Sequence, residues 1–305
     1  MKVDIAALRK LCTMKEKKVR RFLLSVIPDL ENREHFLYRE TSGATVLAVA
    51  HMDVVSESSS FDSFSTPDDI MVFSPALDDR LGVFTMTHLL KQFGLEMDLL
   101  FTTDEERCSS TAEEFVDYCG KDYNWIVGLD RKGSDVVLYD YDTNTDFVDA
   151  LKAAEFKLSL GSFSDISYME PMQTSAFNMG IGYHFQHTNK CCASMLELAG
   201  QLRKLKSFFD AFSETKFTHT PEPRTLSGAA TWSAPGKWSG IRKSNRDPWW
   251  EREEDTIGRQ YYNEHDETPL DRRRKSNDSS DYTDDFDYDD KDDYLGDYGR
   301  IKLAL

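Results

Sequence analysis

A short apolar run, residues 45–50, ends in the tripeptide HMD. Its β-branched and small apolar residues predict a buried strand. Residues two apart on a strand point to the same side, so His51 and Asp53 share a face where that strand stops. The arrangement recurs. Residues 97–101 form a second apolar run followed directly by TTDEER, and residues 125–129 form a third that ends at Asp130. Helical periodicities separate these runs. One is Val19, Phe22, Leu23 and Val26. Another, beginning near Asp78, is Val83, Met86, Leu90 and Phe93. A third is Ala112, Phe115, Val116 and Cys119, behind a capping box of Ser110 and Glu113. The clearest is Met195, Leu198, Leu202, Leu205 and Phe209. Strands alternating with helices predict an α/β sheet. Such sheets gather ligands at the carboxyl ends of their strands. His51, Asp104, Glu105, Glu106 and Asp130 all follow a strand end, so they are expected to meet.

The rest of the first two-thirds fills in around that frame. Residues 36–39, 70–73 and 136–139 read as short strands, residues 56–69 as loop and residues 146–156 as helix. Residues 175–183 read as a late strand leading to His184 and His187, which alternation would place on opposite faces. After about Glu214 the periodicity stops. Pro221, Pro223, Gly228, Pro235, Gly236 and Gly240 punctuate a segment with few aliphatics, and residues 281–297 are mostly Asp and Tyr. Such a composition does not bury enough apolar surface to offset an ordering entropy of about 1–2 kcal/mol per residue. A domain over residues 1–213 and a mostly disordered acidic tail over 214–305 are therefore expected.

The net charge is −17, of which residues 214–305 carry −6 (21 acidic against 15 basic residues). It argues against non-specific nucleic-acid binding. The tail's Asp/Tyr run could serve a basic protein partner, with Trp232, Trp238, Trp249 and Trp250 as anchors. The plainer reading is a solvated linker. No stretch has the apolar length of a membrane span. The N-terminus reads as an amphipathic helix, not a signal peptide. The five cysteines, odd in number and within or beside helical patterns, read as reduced thiols in a cytoplasmic protein.

The polar residues that the strands deliver are carboxylates and imidazoles. That donor set suits zinc, manganese or cobalt better than copper or an iron–sulfur cluster. Two such ions can clamp a bridging hydroxide, and a carboxylate off the metals must then move the proton. Adjacent Glu105 and Glu106 offer one residue for each task. In this order, HMD at 51–53, LDDRLG at 77–82, TDEE at 103–106, LD at 129–130 and HT at 187–188 resemble the di-zinc exopeptidase superfamily, and in particular its compact single-domain aminopeptidases. The resemblance implies a three-layer α/β/α fold with a mixed, mostly parallel sheet. It implies that His51 and Asp130 hold one ion, that Glu106 and His187 hold the other, and that Asp78 bridges both. Asp53 would stand behind His51, and Glu105 would be the general base and acid. The peptide after Asp78 would be cis.

The implied activity is a zinc-dependent aminopeptidase acting on short peptides. Two alternatives accompany it. One is an N-acyl amino-acid amidohydrolase or carboxypeptidase on the same site. The other is a binding module on a hydrolase scaffold. An acidic group such as Asp165 would receive a substrate amine. Arg80 or Arg131 would receive a substrate carboxylate. Oligomeric state is left open.

Overall fold

The computed structural model describes residues 1–221 and the backbone of Ile301–Lys302. The four tail tryptophans, the basic cluster at 272–275 and the whole acidic run at 281–297 lie outside the described residues. The strands are β1 (Lys2–Val3), β2 (Glu31–Asn32), β3 (Leu37–Arg39), β4 (Val46–His51), β5 (Asp62–Ser65), β6 (Ile70–Phe73), β7 (Asp98–Thr102), β8 (Trp125–Arg131), β9 (Asp135–Val137), β10 (Lys157–Ser159), β11 (Ala176–Gly180), β12 (Tyr183–His184), β13 (Cys192–Ser194) and β14 (Ile301–Lys302). The helices are α1 (Ile5–Thr13), α2 (Glu16–Val26), α3 (Leu77–Phe84), α4 (Ala112–Tyr118), α5 (Thr145–Ala153) and α6 (Met195–Phe212).

Eight strands form the main sheet in the order β10-β9-β11-β8-β4-β7-β3-β2. Its centre, β11, β8, β4 and β7, is parallel throughout. Antiparallel pairings occur outside that centre, β9 on β11, β3 on β7 and β2 on β3. This is the mixed α/β sheet expected, flanked by helices. A strand buried on both faces reads as a continuous apolar run, and every residue of β4 is buried. Helix α3 packs on β4 and β8, while α6 packs on β11 and the second sheet. That second sheet is antiparallel, in the order β12-β13-β6-β5. Core side chains from every layer form one apolar cluster.

Four local expectations differ from the structure. Strand β5 falls within the segment read as loop. All four of its residues are exposed, so this edge strand carries no apolar alternation. The periodic segment after Asp78 changes pitch. Helix α3 gives way to a wide turn at Thr85–Leu89 and a tight one at Leu90–Phe93, with Gly94 closing it at φ +66°. Met86, Leu89 and Leu90 stay buried through this change. The capping box at Ser110 does not form. Thr111 is the N-cap of α4; the Ser110 hydroxyl accepts from the Ala112 amide at 3.0 Å and donates to Asp165. Finally, ordered chain continues past residue 213. Phe217 is buried in the core, and its backbone joins Asn124 and Ser175. One aromatic residue without periodic neighbours gives no pattern to read.

Candidate metal centre

Three parallel strands deliver the site to one end of the sheet. His51 ends β4 and is fully buried. Asp130 is the penultimate residue of β8. Glu105 and Glu106 open a single tight turn, Glu105–Arg107, just beyond β7. Asp78 and Asp79 stand at the head of α3 with non-helical dihedrals, and the peptide between them is cis. Asp79 is wholly buried. It accepts from the Gly82 amide at 3.0 Å and from the His51 amide at 3.3 Å. It thereby fastens α3 to the end of β4. A Cβ at Gly82 would run into the Leu129 carbonyl and the Asp79 carboxylate, so only glycine permits this approach of α3 to β8.

The structure brings all seven sequence-predicted residues together. His51, Asp78 and Asp130 offer ligand atoms that lie within 4.8 Å of one another, as do Asp78, Glu106 and His187. Asp78 belongs to both triads through different oxygens. Its Oδ1 is 3.3 Å from His51 Nε2 and its Oδ2 is 3.1 Å from His187 Nε2. Asp130 Oδ1 is 3.3 Å from His51 Nε2. Glu106 Oε2 is 3.1 Å from His187 Nε2. Glu105 belongs to neither triad, and its Oε2 is 3.8 Å from His51 Nε2. Asp53 lies behind. His51 Nδ1 is 3.2 Å from the Asp53 carbonyl and 3.4 Å from its carboxylate, while Asp53 Oδ2 accepts from the Glu106 amide at 3.1 Å.

Whether cations fit can be judged from unpartnered atoms. His51 Nε2 and Glu106 Oε1 are buried and have no hydrogen-bond partner among the described residues. His51 Nε2 is therefore close to two carboxylates without bonding either, which is how lone pairs converge on a shared ion. With Nδ1 engaged by Asp53, Nε2 is the nitrogen left to ligate. Electrostatics agree. Burial, with neighbouring Asp130, Asp165 and Asp78, pushes Glu105 up to about 10. Burial and Asp78 push Asp130 up to about 7, although His51 opposes them. Burial favours a neutral His187, but Asp78 and Glu106 push it up to about 10. Burial would raise Asp78, yet the two imidazoles hold it below the usual carboxylate range. Without cations this site must gather protons, whereas two dications would satisfy the same donors. The donor set therefore fits the expected ions.

Other expectations are corrected by their surroundings. Strand β12 ends at His184, and Phe185 and His187 both have positive φ. The two histidines are thus separated by a loop, not by strand alternation. His184 turns to Glu197, 2.9 Å away. Asp165 does not face a substrate amine. It is 3% exposed and accepts from the Thr102 hydroxyl at 2.7 Å and from the Ser110 hydroxyl. Arg80 is wholly buried. Arg131 donates to Asp135 and to the Leu160 carbonyl. Neither arginine is presented to a substrate carboxylate. Sequence reasoning missed Asp79, Thr102 and Tyr183, whose hydroxyl donates to the Asp130 carbonyl at 3.1 Å and to its carboxylate at 3.3 Å. The second Asp of LDDRLG was the available signal for Asp79. Nothing in the sequence marks Thr102 or Tyr183.

Known structures share this architecture. Aminopeptidase PepT from Bacillus cereus superposes with a TM-score of 0.51 at 11% identity, covering 69% of this chain and 97% of its own. An aminopeptidase from the archaeon Desulfurococcus kamchatkensis gives 0.52 at 13% identity, covering 69% and 94%. A TET aminopeptidase from a marine sediment thaumarchaeon gives 0.51 at 10% identity, covering 70% and 97%. No protein-family model and no curated protein sequence matches the chain. What the chain shares with these aminopeptidases is the fold, the one that the motif resemblance implied.

Proposed function

We propose that this protein is a metal-dependent aminopeptidase that uses two divalent ions, most simply zinc, with cobalt or manganese as alternatives. One observation carries the reading. Two ligand triads share Asp78, and a carboxyl belonging to neither, Glu105, lies beside them. His51, Asp78 and Asp130 would hold one ion, and Asp78, Glu106 and His187 the other. Bound there, such ions polarise a carbonyl and lower the pKa of water. Asp53 fixes the His51 tautomer through Nδ1 and the Glu105–Arg107 turn through the Glu106 amide. Glu105 accepts a proton from the attacking water and returns it to the leaving amine. In the metal-free chain Glu105 is held protonated; positive charge in the triads favours the carboxylate needed for that work.

Two features favour a substrate amine over a substrate carboxylate. The titratable groups around the site are mainly carboxyls, and the two arginines considered for a carboxylate are buried or engaged. Short peptides with a free N-terminus are the proposed substrates. Free cysteines, five among the described residues, accord with a reducing compartment such as the cytoplasm. Among the described residues no helix is long and apolar enough to cross a membrane. The test is hydrolysis of amino-acyl anilides and of matched free and N-acetylated peptides by zinc- or cobalt-loaded protein. Turnover of the free peptides alone is expected. Preference for the blocked peptides would replace this reading with the acyl amino-acid amidohydrolase.

A further inference from the structure

Glu105 and Glu106 lie on a tight turn, residues 103–109, paired at its base by Thr111 N to Thr103 O at 3.1 Å and Thr103 N to Thr111 Oγ1 at 3.0 Å and braced within by Arg107 on Asp104. Cys108 N donates to Glu105 O at 2.8 Å and Ser109 N to Asp104 O at 3.1 Å. Asp104 and Cys108, neither of them glycine, sit at φ +62° and +54°. Such left-handed residues persist only where the surroundings over-determine them. Those surroundings include Asp53, which accepts from the Glu106 amide, and Glu16, which accepts from the Thr103 hydroxyl, but the element that touches the turn at several points is the tight turn Asp165–Tyr168.

Asp165 holds the neck of the Glu105 turn. One carboxylate oxygen accepts from Thr102, the last residue of β7, and the other accepts from Ser110, the first residue after the turn. Asp165, Thr102 and Ser110 are at most 3% exposed. From the same segment, the Tyr168 hydroxyl donates to the Cys108 carbonyl at 3.0 Å, inside the turn. One short element therefore grips the turn at its entry, its interior and its exit. A carboxylate suits the neck because both its oxygens accept. An amide accepts with only one.

We propose that Asp165 is a positioning residue, which closes the neck of this turn through Thr102 and Ser110 and so sets the direction of the Glu105 carboxyl. The catalytic half of this inference rests on the reading of Glu105 given above; the structural half does not. The proposal ties the segment Asp165–Tyr168, which contributes no ligand to either triad, to the geometry of proton transfer.

The test compares Thr102→Val, which removes the hydroxyl at nearly constant volume, with Thr102→Ser, which keeps it, and with Asp165→Asn, all in the full-length chain. Hydrogen exchange is followed in metal-free protein, and kcat, KM and cobalt stoichiometry in loaded protein. In Thr102→Val and Asp165→Asn the Cys108 and Ser109 amides should exchange at least ~10-fold faster, with the centre of the sheet unchanged. In the same variants kcat should fall ~10–100-fold, the scale of a small misplacement. KM should stay within about 2-fold and cobalt stoichiometry should be kept. Thr102→Ser should restore both readouts. Unchanged exchange at Cys108 and Ser109 in Thr102→Val overturns the proposal even if Asp165→Asn fails to fold. Faster exchange with unaltered kcat overturns the positioning role. A wild-type chain that binds cobalt but hydrolyses no peptide, with the exchange response intact, removes the aminopeptidase reading and leaves the neck supported.

Discussion

Loading the metal centre should release protons, and their number follows from the structure. His187 must lose its proton before Nε2 can ligate. In the metal-free chain burial opposes that proton, but Asp78 and Glu106 hold it, with a pKa of about 10. At pH 7 the group lies about three units below that value, so proton competition weakens the apparent affinity of its side of the site by roughly a thousandfold. Affinity should then rise about tenfold per pH unit. His51 is also raised well above its ordinary value, by Asp130, Asp53 and Asp78 acting against burial. It gives up a second proton. Asp130, at about 7, gives up roughly half of one. Glu105, protonated in the metal-free chain, gives up as much as one more when positive charge favours its carboxylate, so loading both sites at pH 7 should release between about two and four protons. Calorimetric titration of zinc or cobalt in two buffers of different ionisation enthalpy counts them. His187→Ala should lose about one proton and flatten the pH dependence. The metal-free chain behaves oppositely. A histidine whose folded pKa is raised contributes stability fully below its unfolded value, here 6.5, and loses it as pH approaches 10. Metal affinity that stays flat between pH 6 and 8, or release of fewer than one proton, would refute the assignment of both imidazoles as ligands.

Three further outcomes are expected. Glu105→Gln should lower kcat by ~10²–10⁴-fold while two ions still bind per chain, measured by steady-state kinetics beside metal analysis. Gly82→Ala should destabilise the chain by about 1–3 kcal/mol, although alanine is normally the better helix former by about 1 kcal/mol, because its Cβ meets the Leu129 carbonyl and the Asp79 carboxylate; denaturant unfolding measures it, and metal affinity should fall with it. Asp98→Ala should cost about 1–3 kcal/mol without changing metal affinity. Asp98 is wholly buried and accepts from the Thr41 amide and from the Tyr38, Tyr123 and Lys121 side chains, so its loss takes an acceptor from two buried phenols and leaves the half-buried Lys121 with Glu40 alone. A thermal scan with and without cobalt would show the cost.

The sequence by itself determined the sheet's centre and the residues at its edge. Apolar runs at β4, β7 and β8 are legible because a doubly buried strand admits little else, and a histidine or carboxylate directly after such a run has to sit at the sheet's end. That logic reached His51, Glu105, Glu106 and Asp130 from local pattern. Motif resemblance added Asp78 and His187, which stand on a helix head and a loop, where no periodicity marks a side chain's direction. Tertiary structure alone decided the rest. Ser110 looks like a helix cap alone, and only the closed structure shows its hydroxyl also donating to a buried carboxylate 55 residues away. Asp165 looks like a substrate contact until both its oxygens are found engaged. Arg80, in the middle of a motif, is wholly buried. In each case the partner is distant along the chain, and hydrogen-bond and ion-pair energies depend on separations in space. Local sequence encodes propensity and periodicity, whereas the choice among competing partners for a polar group is made only when the layers close.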